Sequence, residues 1–99
     1  MNYELVLRSI AEKDISDIVY WYEKKIPGLG NRFITSLDAT FHSIKRNPQI
    51  YPKVYKDFRR ALSPRFPYAV FYIIDKNTVV IFAVMHGKRK PKTWQNRTT

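Results

Sequence analysis

The chain of 99 residues contains no cysteine and no long apolar run. The lack of cysteine excludes a disulfide scaffold, a cysteine nucleophile and a thiolate zinc site. It also agrees with a reducing compartment, so we expect a cytoplasmic protein. The longest uncharged run near the carboxyl end, residues 77–87, is about half of the ~20 residues that a membrane helix needs. The first eight residues show no secretory signal.

Carboxylates are scarce in the second half of the chain. After residue 44, thirteen Lys and Arg residues are accompanied only by Asp57 and Asp75, whereas the first 44 residues hold five bases and six acids. The formal net charge of +10 therefore comes from the later residues. Such a field attracts nucleic acid, an acidic protein or an anionic membrane face. The alternative is a solvated basic surface that only keeps the protein soluble.

The apolar pattern predicts one folded domain over residues 1–99, with a basic tail at 88–99. Residues 2–8 alternate as a strand does, and Ser9 with Glu12 matches a capping box at the start of a helix. Pro27-Gly28 separates two amphipathic helices, the second of which ends at Asn47-Pro48. We expect their apolar faces to comprise Ile15, Ile18, Val19, Tyr22 and Ile26 in the first helix and Phe33, Ile34, Leu37, Phe41 and Ile44 in the second.

The remaining segments read as strands. Residues 49–56 lead into a short strand, 58–62 form another, and 68–75 and 78–86 are longer. The last is almost continuously apolar, which predicts a strand buried on both faces inside its sheet. The order β–α–α–β–β–β predicts an α+β domain, a helical hairpin packed on a small, twisted, mostly antiparallel sheet.

Several strings in this order resemble the RelE/ParE superfamily of toxins from bacterial type II toxin–antitoxin modules. They are Pro27-Gly28-Leu29-Gly30, Arg59-Arg60-Ala61-Leu62, Phe66-Pro67-Tyr68, and the run from Val80 to His86 followed by Arg89, Pro91 and Trp94. The resemblance implies the β–α–α–β–β–β fold, growth inhibition, a role in plasmid stabilization and no cofactor. It also implies neutralisation by a cognate acidic antitoxin in a hetero-oligomeric complex, and no membrane partner.

The superfamily has two branches with different targets. The RelE-like branch cuts messenger RNA on the ribosome, and the ParE-like branch poisons DNA gyrase and is not known as a nuclease. Metal-free RNA cleavage needs a base, an acid and fixed positive charge. The candidates for such a site here are Arg60, Arg65, His86 and Arg89.

Proton-transfer groups are few in the basic half. No glutamate follows Glu23 and no tyrosine follows Tyr72, whereas RelE-like ribonucleases typically carry a tyrosine near the carboxyl end. The Pro-Gly-Leu-Gly link and the His-x-x-Arg-x-Pro ending look more ParE-like. We therefore favour a gyrase poison that is not an enzyme. The alternatives are a metal-free, ribosome-dependent endoribonuclease and an inactive basic module that binds nucleic acid or protein.

Cations and tryptophans are the candidate contacts with partners. For the target or nucleic acid they are Lys53, Lys56, Arg59, Arg60, Arg65 and Arg89, and the alternative role of these residues is to deter pairing at a sheet edge. Trp21 and Trp94 are the candidate contacts with the antitoxin, and the alternative for both is peripheral packing. No metal site is expected.

We predict that Phe82→Ala lowers the free energy of unfolding by about 3–5 kcal/mol, because a buried aromatic ring leaves a cavity. Urea denaturation measures the loss. A loss near that of an exposed substitution would contradict the burial of strand 78–86 on both faces.

Overall fold

The computed structural model describes residues 3–88. The elements are β1 (Glu4–Leu7), α1 (Ser9–Lys25), α2 (Leu29–Arg46), a 3-10 turn (Pro48–Ile50), β2 (Lys53–Tyr55), β3 (Phe58–Leu62), β4 (Tyr68–Asp75) and β5 (Thr78–His86). The five-stranded sheet has the order β1-β5-β4-β3-β2, in which β1 runs parallel to β5 and the other neighbours are antiparallel. Neither helix in this part of the chain is long and apolar enough to cross a bilayer.

This arrangement confirms the predicted α+β fold, with a helical pair on a mostly antiparallel sheet. The sheet has one strand more than the order β–α–α–β–β–β, because the short segment β2 pairs with β3. β5 lies between β1 and β4, as its continuous apolar sequence predicted.

The start of α1 differs from the predicted capping box. The cap residue is Arg8, with no side-chain hydrogen bond, and its carbonyl accepts the N–H groups of Ala11 and Glu12. The N–H of Arg8 donates to the carbonyl of Ile81 at 3.1 Å, so the chain stays extended through Arg8. Ser9 is therefore the first helical residue and does not occupy the cap.

The link between the helices is closed by a single carboxylate. Glu23 accepts the N–H of Gly28 at 2.8 Å through one oxygen and the N–H of Gly30 at 3.0 Å through the other. Gly28 has φ +89°, a left-handed conformation that glycine adopts without a steric cost. This pair of bonds satisfies amide groups that the first turn of α2 would otherwise leave unpaired.

The core between helices and sheet contains most of the predicted apolar faces. Two predicted members lie outside it, because Ile26 is 59% and Ile34 is 44% exposed. Ile26 is in the extended residue that follows α1, so helical spacing no longer applies to it. The buried cluster comprises Ala11, Ile18, Tyr22, Phe33, Leu37, Ile44, Ala61, Val70, Tyr72, Val79, Ile81 and Val84.

A second cluster lies on the opposite face of the sheet, where Phe58, Ala69, Phe71, Phe82 and Ala83 are buried. A bulge in β5 makes this possible. The pairing changes from Phe71 with Ala83 to Tyr72 with Ile81, so Phe82 is an extra residue on its strand. Phe82 and Ala83 consequently face the same side despite being adjacent.

Two long-range polar contacts fix α1 and the 3-10 turn on the sheet. The carboxylate of Asp14 in α1 accepts the N–H of Val84 at 3.0 Å. Val84 lies in the part of β5 that extends past its pairing with β1. The hydroxyl of buried Tyr72 donates to the carbonyl of Pro48 at 2.7 Å. Burial raises the pKa of the Tyr72 hydroxyl, against a smaller lowering by Arg59, so Tyr72 remains a hydrogen-bond donor at neutral pH.

We predict that Gly30→Ala lowers the free energy of unfolding by about 1–2 kcal/mol, although alanine has the higher helix propensity. An added Cβ would lie 3.0 Å from the carbonyl oxygen of Val19 and 3.1 Å from its Cγ1, and this backbone cannot move cheaply. Chemical denaturation measures the change. Ser16→Ala, on the exposed side of α1, is the control and should not destabilise. A stabilised Gly30→Ala variant would contradict the close approach of the helices.

Candidate functional site

Positive charge is concentrated in one stretch of the chain, from the end of α2 to β3. Six of the nine Lys and Arg residues between positions 45 and 88 follow one another through the end of α2, β2 and β3. We call them the basic edge: Lys45, Arg46, Lys53, Lys56, Arg59 and Arg60. The other three, Arg65, Lys76 and Lys88, lie in the β3–β4 loop, the β4–β5 turn and the segment after β5. The excess charge is therefore concentrated at β2 and β3 but not confined there.

The residues of the basic edge have different roles within the fold. Arg59 donates from Nη1 to the carbonyls of Gln49 at 2.9 Å and Tyr51 at 2.6 Å, which ties the 3-10 turn to β3. Lys53 forms only an exposed pair with Asp57 at 3.5 Å. Arg59 is thus committed to the fold, whereas an exposed pair such as that of Lys53 contributes little and exchanges readily.

One cation lies over the aromatic ring that ends β2, and a second belongs to β3. The ammonium of Lys56 lies 5.2 Å from the centre of the Tyr55 ring, and Lys56 has a left-handed backbone with φ 49°. Arg60 is half-buried in β3 and pairs in register with Phe71. Lys53 of β2, Lys56 of the β2–β3 turn and Arg60 of β3 can therefore offer charge to a partner.

The sheet register separates two of the four candidate residues for RNA cleavage, Arg60 and His86. Arg60 shares the face of Phe71, which belongs to the cluster away from the helices, because paired residues of antiparallel strands face the same side. His86 pairs with Tyr68, which packs against the helix-side core. Arg60 and His86 thus lie on opposite faces of the sheet. Arg65 is in the loop after β3, and Arg89 lies outside the described residues.

His86 is held at the end of β5 by local contacts. Its Nδ1 accepts the N–H of Lys88 at 3.1 Å, and its ring meets the Tyr68 ring edge-on at 5.8 Å. An acceptor at Nδ1 leaves the proton of the neutral ring on Nε2. Among residues 3–88, no group of three His, Asp or Glu side chains could hold a metal ion.

A groove of about 540 Å³ runs between α2 and the β3–β4 loop. One stripe of α2 forms a wall, and the loop forms the other with Arg65 between Pro64 and Phe66. Arg32 and Arg65 are exposed on its two sides. Within the described part of the chain, neither guanidinium has an acidic partner. The lining residues are Leu29, Asn31, Arg32, Thr35, Ser36, Ala39, Pro64, Arg65 and Phe66.

The loop that carries Arg65 is anchored on both sides. Before it, Ser36 of α2 hydrogen-bonds to the hydroxyl of Ser63 at 2.9 Å and to the carbonyl of Pro64. After it, the Phe66 ring meets Phe33 edge-on at 5.3 Å. Arg65 itself has φ 69°, a left-handed conformation that costs a non-glycine residue roughly 1–2 kcal/mol. The anchors hold the arginine in that conformation.

The groove contains a residue that sequence reasoning missed. Arg32 belongs to the nearly neutral half and is not among the predicted contact residues. The sequence did contain a signal for this site. Positions 31, 32, 35, 36 and 39 have helical spacing, so they form one stripe of α2 beside its apolar face. The pairing of Arg32 with Arg65 across a groove depends on the fold, because 33 positions separate them in the chain.

The two tryptophan candidates have different outcomes. Trp21 is 53% exposed on α1, with the Lys25 ammonium 5.0 Å from its ring centre and Tyr22 edge-on at 5.2 Å. Its exposed ring is available to a partner. Trp94 lies outside the described residues.

Comparison with known proteins identifies the family. A family model described as the ParE toxin of type II toxin–antitoxin systems matches residues 5–91. The chain belongs to the ParE toxin family. This confirms the resemblance to the RelE/ParE superfamily, and the family model that matches belongs to its ParE branch. No curated protein shows significant similarity to this ParE-family chain.

Solved structures share the fold of this ParE-family toxin. A chain from the chromosomal ParDE toxin–antitoxin system of P. aeruginosa has a TM-score of 0.76 at 14% identity, covering 85% of this chain and 95% of that one. A chain from the RelBE2 toxin–antitoxin complex of Mycobacterium tuberculosis has a TM-score of 0.62 at 22% identity, covering 87% and 99% respectively. At these identities the likeness shows the fold.

We predict that Arg59→Gln lowers the free energy of unfolding by about 1–2 kcal/mol, because two carbonyls lose a charged donor. Arg60→Gln, its neighbour on β3, is the matched control and should cost about 0.5 kcal/mol. Urea denaturation of both variants measures the difference. Equal losses would contradict the structural role of Arg59.

Proposed function

We propose that this ParE-family chain arrests growth by binding DNA gyrase and trapping it on cleaved DNA, without being a nuclease itself. The observation that carries this proposal is the match to the ParE toxin family over residues 5–91. The positions of Arg60 and His86 on opposite faces of the sheet support it, because a general acid–base site needs its groups within reach of one phosphate.

The basic edge is the proposed contact with the target. Lys53, Lys56 and Arg60 present charge from β2 and β3, and an enzyme at work on DNA offers both acidic side chains and phosphates. Arginine gives a planar, bidentate contact and lysine a mobile point charge, so the two together suit an irregular anionic surface. A net charge of +10 raises the encounter rate with such a surface.

A cognate acidic antitoxin is the proposed regulator of this activity in the cytoplasm. The family assignment supports an antitoxin partner, since type II systems pair a toxin with an antitoxin protein. The charge of the toxin favours an acidic segment that folds on binding. Exposed Trp21 is the proposed apolar anchor for that segment, because large aromatic rings dominate many protein interfaces.

The gyrase proposal is tested with purified gyrase, supercoiled DNA and the toxin. We expect DNA cleavage products that persist and a loss of supercoiling activity. The variant Lys53→Gln/Lys56→Gln/Arg60→Gln should need at least tenfold more protein for the same effect. The control Lys13→Gln/Lys24→Gln/Lys76→Gln removes the same charge from elsewhere and should stay close to wild type.

Three results would contradict this proposal or part of it. Unaffected supercoiling at high toxin concentration would remove gyrase as the target. New messenger RNA ends at codon positions, seen by primer extension on translated message, would instead support the endoribonuclease. Equal losses of gyrase inhibition in both triple variants would mean that the effect depends on net charge and not on the position of the basic edge.

A further inference from the structure

The groove between α2 and the β3–β4 loop combines two chemistries that the basic edge does not. Its floor and rims include the apolar residues Leu29, Ala39, Pro64 and Phe66. Arg32 and Arg65 stand on opposite sides of that apolar surface, and neither has an acidic partner within residues 3–88. An apolar surface flanked by two unpaired guanidinium groups fits a ligand with an anionic group beside apolar groups.

The groove is built before any partner arrives. Ser36 bonds the loop to α2 on one side of Arg65, and the ring of Phe66 packs on Phe33 and Tyr22 on the other. Arg65 is therefore held in its left-handed conformation by contacts that do not involve its own side chain. Because the site is preformed, binding loses less conformational entropy to ordering the loop than it would if the loop were mobile.

We propose that this groove is the docking site of an acidic segment of the antitoxin, with one carboxylate held between Arg32 and Arg65. An apolar side chain next to that carboxylate would cover Leu29 and Phe66. This inference rests on the proposed function, in which an antitoxin neutralises the toxin. It adds the location and the chemistry of one contact.

A peptide suits this groove better than a nucleic acid does. Guanidinium groups match the planar carboxylate of Asp or Glu through paired hydrogen bonds. A polynucleotide needs a run of cations along its backbone, which the basic edge offers and a pair of arginines does not. The apolar floor would stay uncovered beneath a phosphate but is covered by an amphipathic peptide.

The experiment measures the affinity of the toxin for one probe, the purified protein encoded by the reading frame adjacent to the toxin gene. We expect Arg32→Gln/Arg65→Gln to raise the dissociation constant at least tenfold by calorimetry. Glutamine keeps the helix propensity at position 32 and meets the same backbone constraint at position 65. Unchanged circular dichroism and melting temperature confirm that the variant folds.

Two further variants separate the groove from net charge. Lys13→Gln/Lys76→Gln removes the same charge elsewhere and should change the dissociation constant less than threefold. Arg32→Lys/Arg65→Lys keeps the charge without the planar fork and should fall between wild type and the glutamine variant. On the probe, one Asp or Glu replaced by its amide should weaken binding to wild type and have little further effect on the glutamine variant.

The outcomes distinguish this inference from the proposed function. A wild-type toxin that does not bind the probe contradicts the antitoxin partner and the inference with it. Tight wild-type binding with the same affinity in Arg32→Gln/Arg65→Gln overturns the groove while leaving the antitoxin in place. Equal weakening in the glutamine variant and the Lys13→Gln/Lys76→Gln control also overturns it, because net charge then explains the effect.

Discussion

The rest of the structure depends on four aromatic rings that join the helical hairpin to the sheet. Tyr22 of α1 and Phe33 of α2 meet Phe66 edge-on at 5.1 and 5.3 Å and Tyr68 at 6.1 and 5.5 Å. Such pairs contribute roughly 0.5–1.5 kcal/mol each beyond the area that they bury. Because Phe66 belongs to the β3–β4 loop, the same contacts that hold the helices on the sheet also shape a wall of the groove and the backbone of Arg65.

Six cations among residues 3–88 fall into three groups by their surroundings. Arg59 binds backbone carbonyls and belongs to the fold. Lys53, Lys56 and Arg60 present charge along β2 and β3, and Arg32 with Arg65 flanks an apolar groove. Under the proposed function, the basic edge would meet the target and the groove the antitoxin, on separate surfaces. The basic edge suits an extended anionic surface, whereas the groove suits a peptide.

Much of the fold could be predicted because apolar periodicity is a local property of the sequence. The two helices, the Pro27-Gly28 link and the interior strand β5 were all visible in the spacing of apolar residues. The capping box was wrong because a strand hydrogen bond at Arg8 moved the start of α1 by one residue. The bulge at Phe82 was invisible, because a continuous apolar run looks the same whether its residues alternate regularly or slip by one.

The sequence by itself determined the family, the class of fold and the excess of positive charge in the later residues. Tertiary structure decided which of those charges work together. It placed Arg60 and His86 on opposite faces, bound Arg59 to two carbonyls, and paired Arg65 with Arg32 from the nearly neutral half. The physical reason is that composition and periodicity follow from neighbours along the chain, whereas a groove is made by segments that only packing brings together.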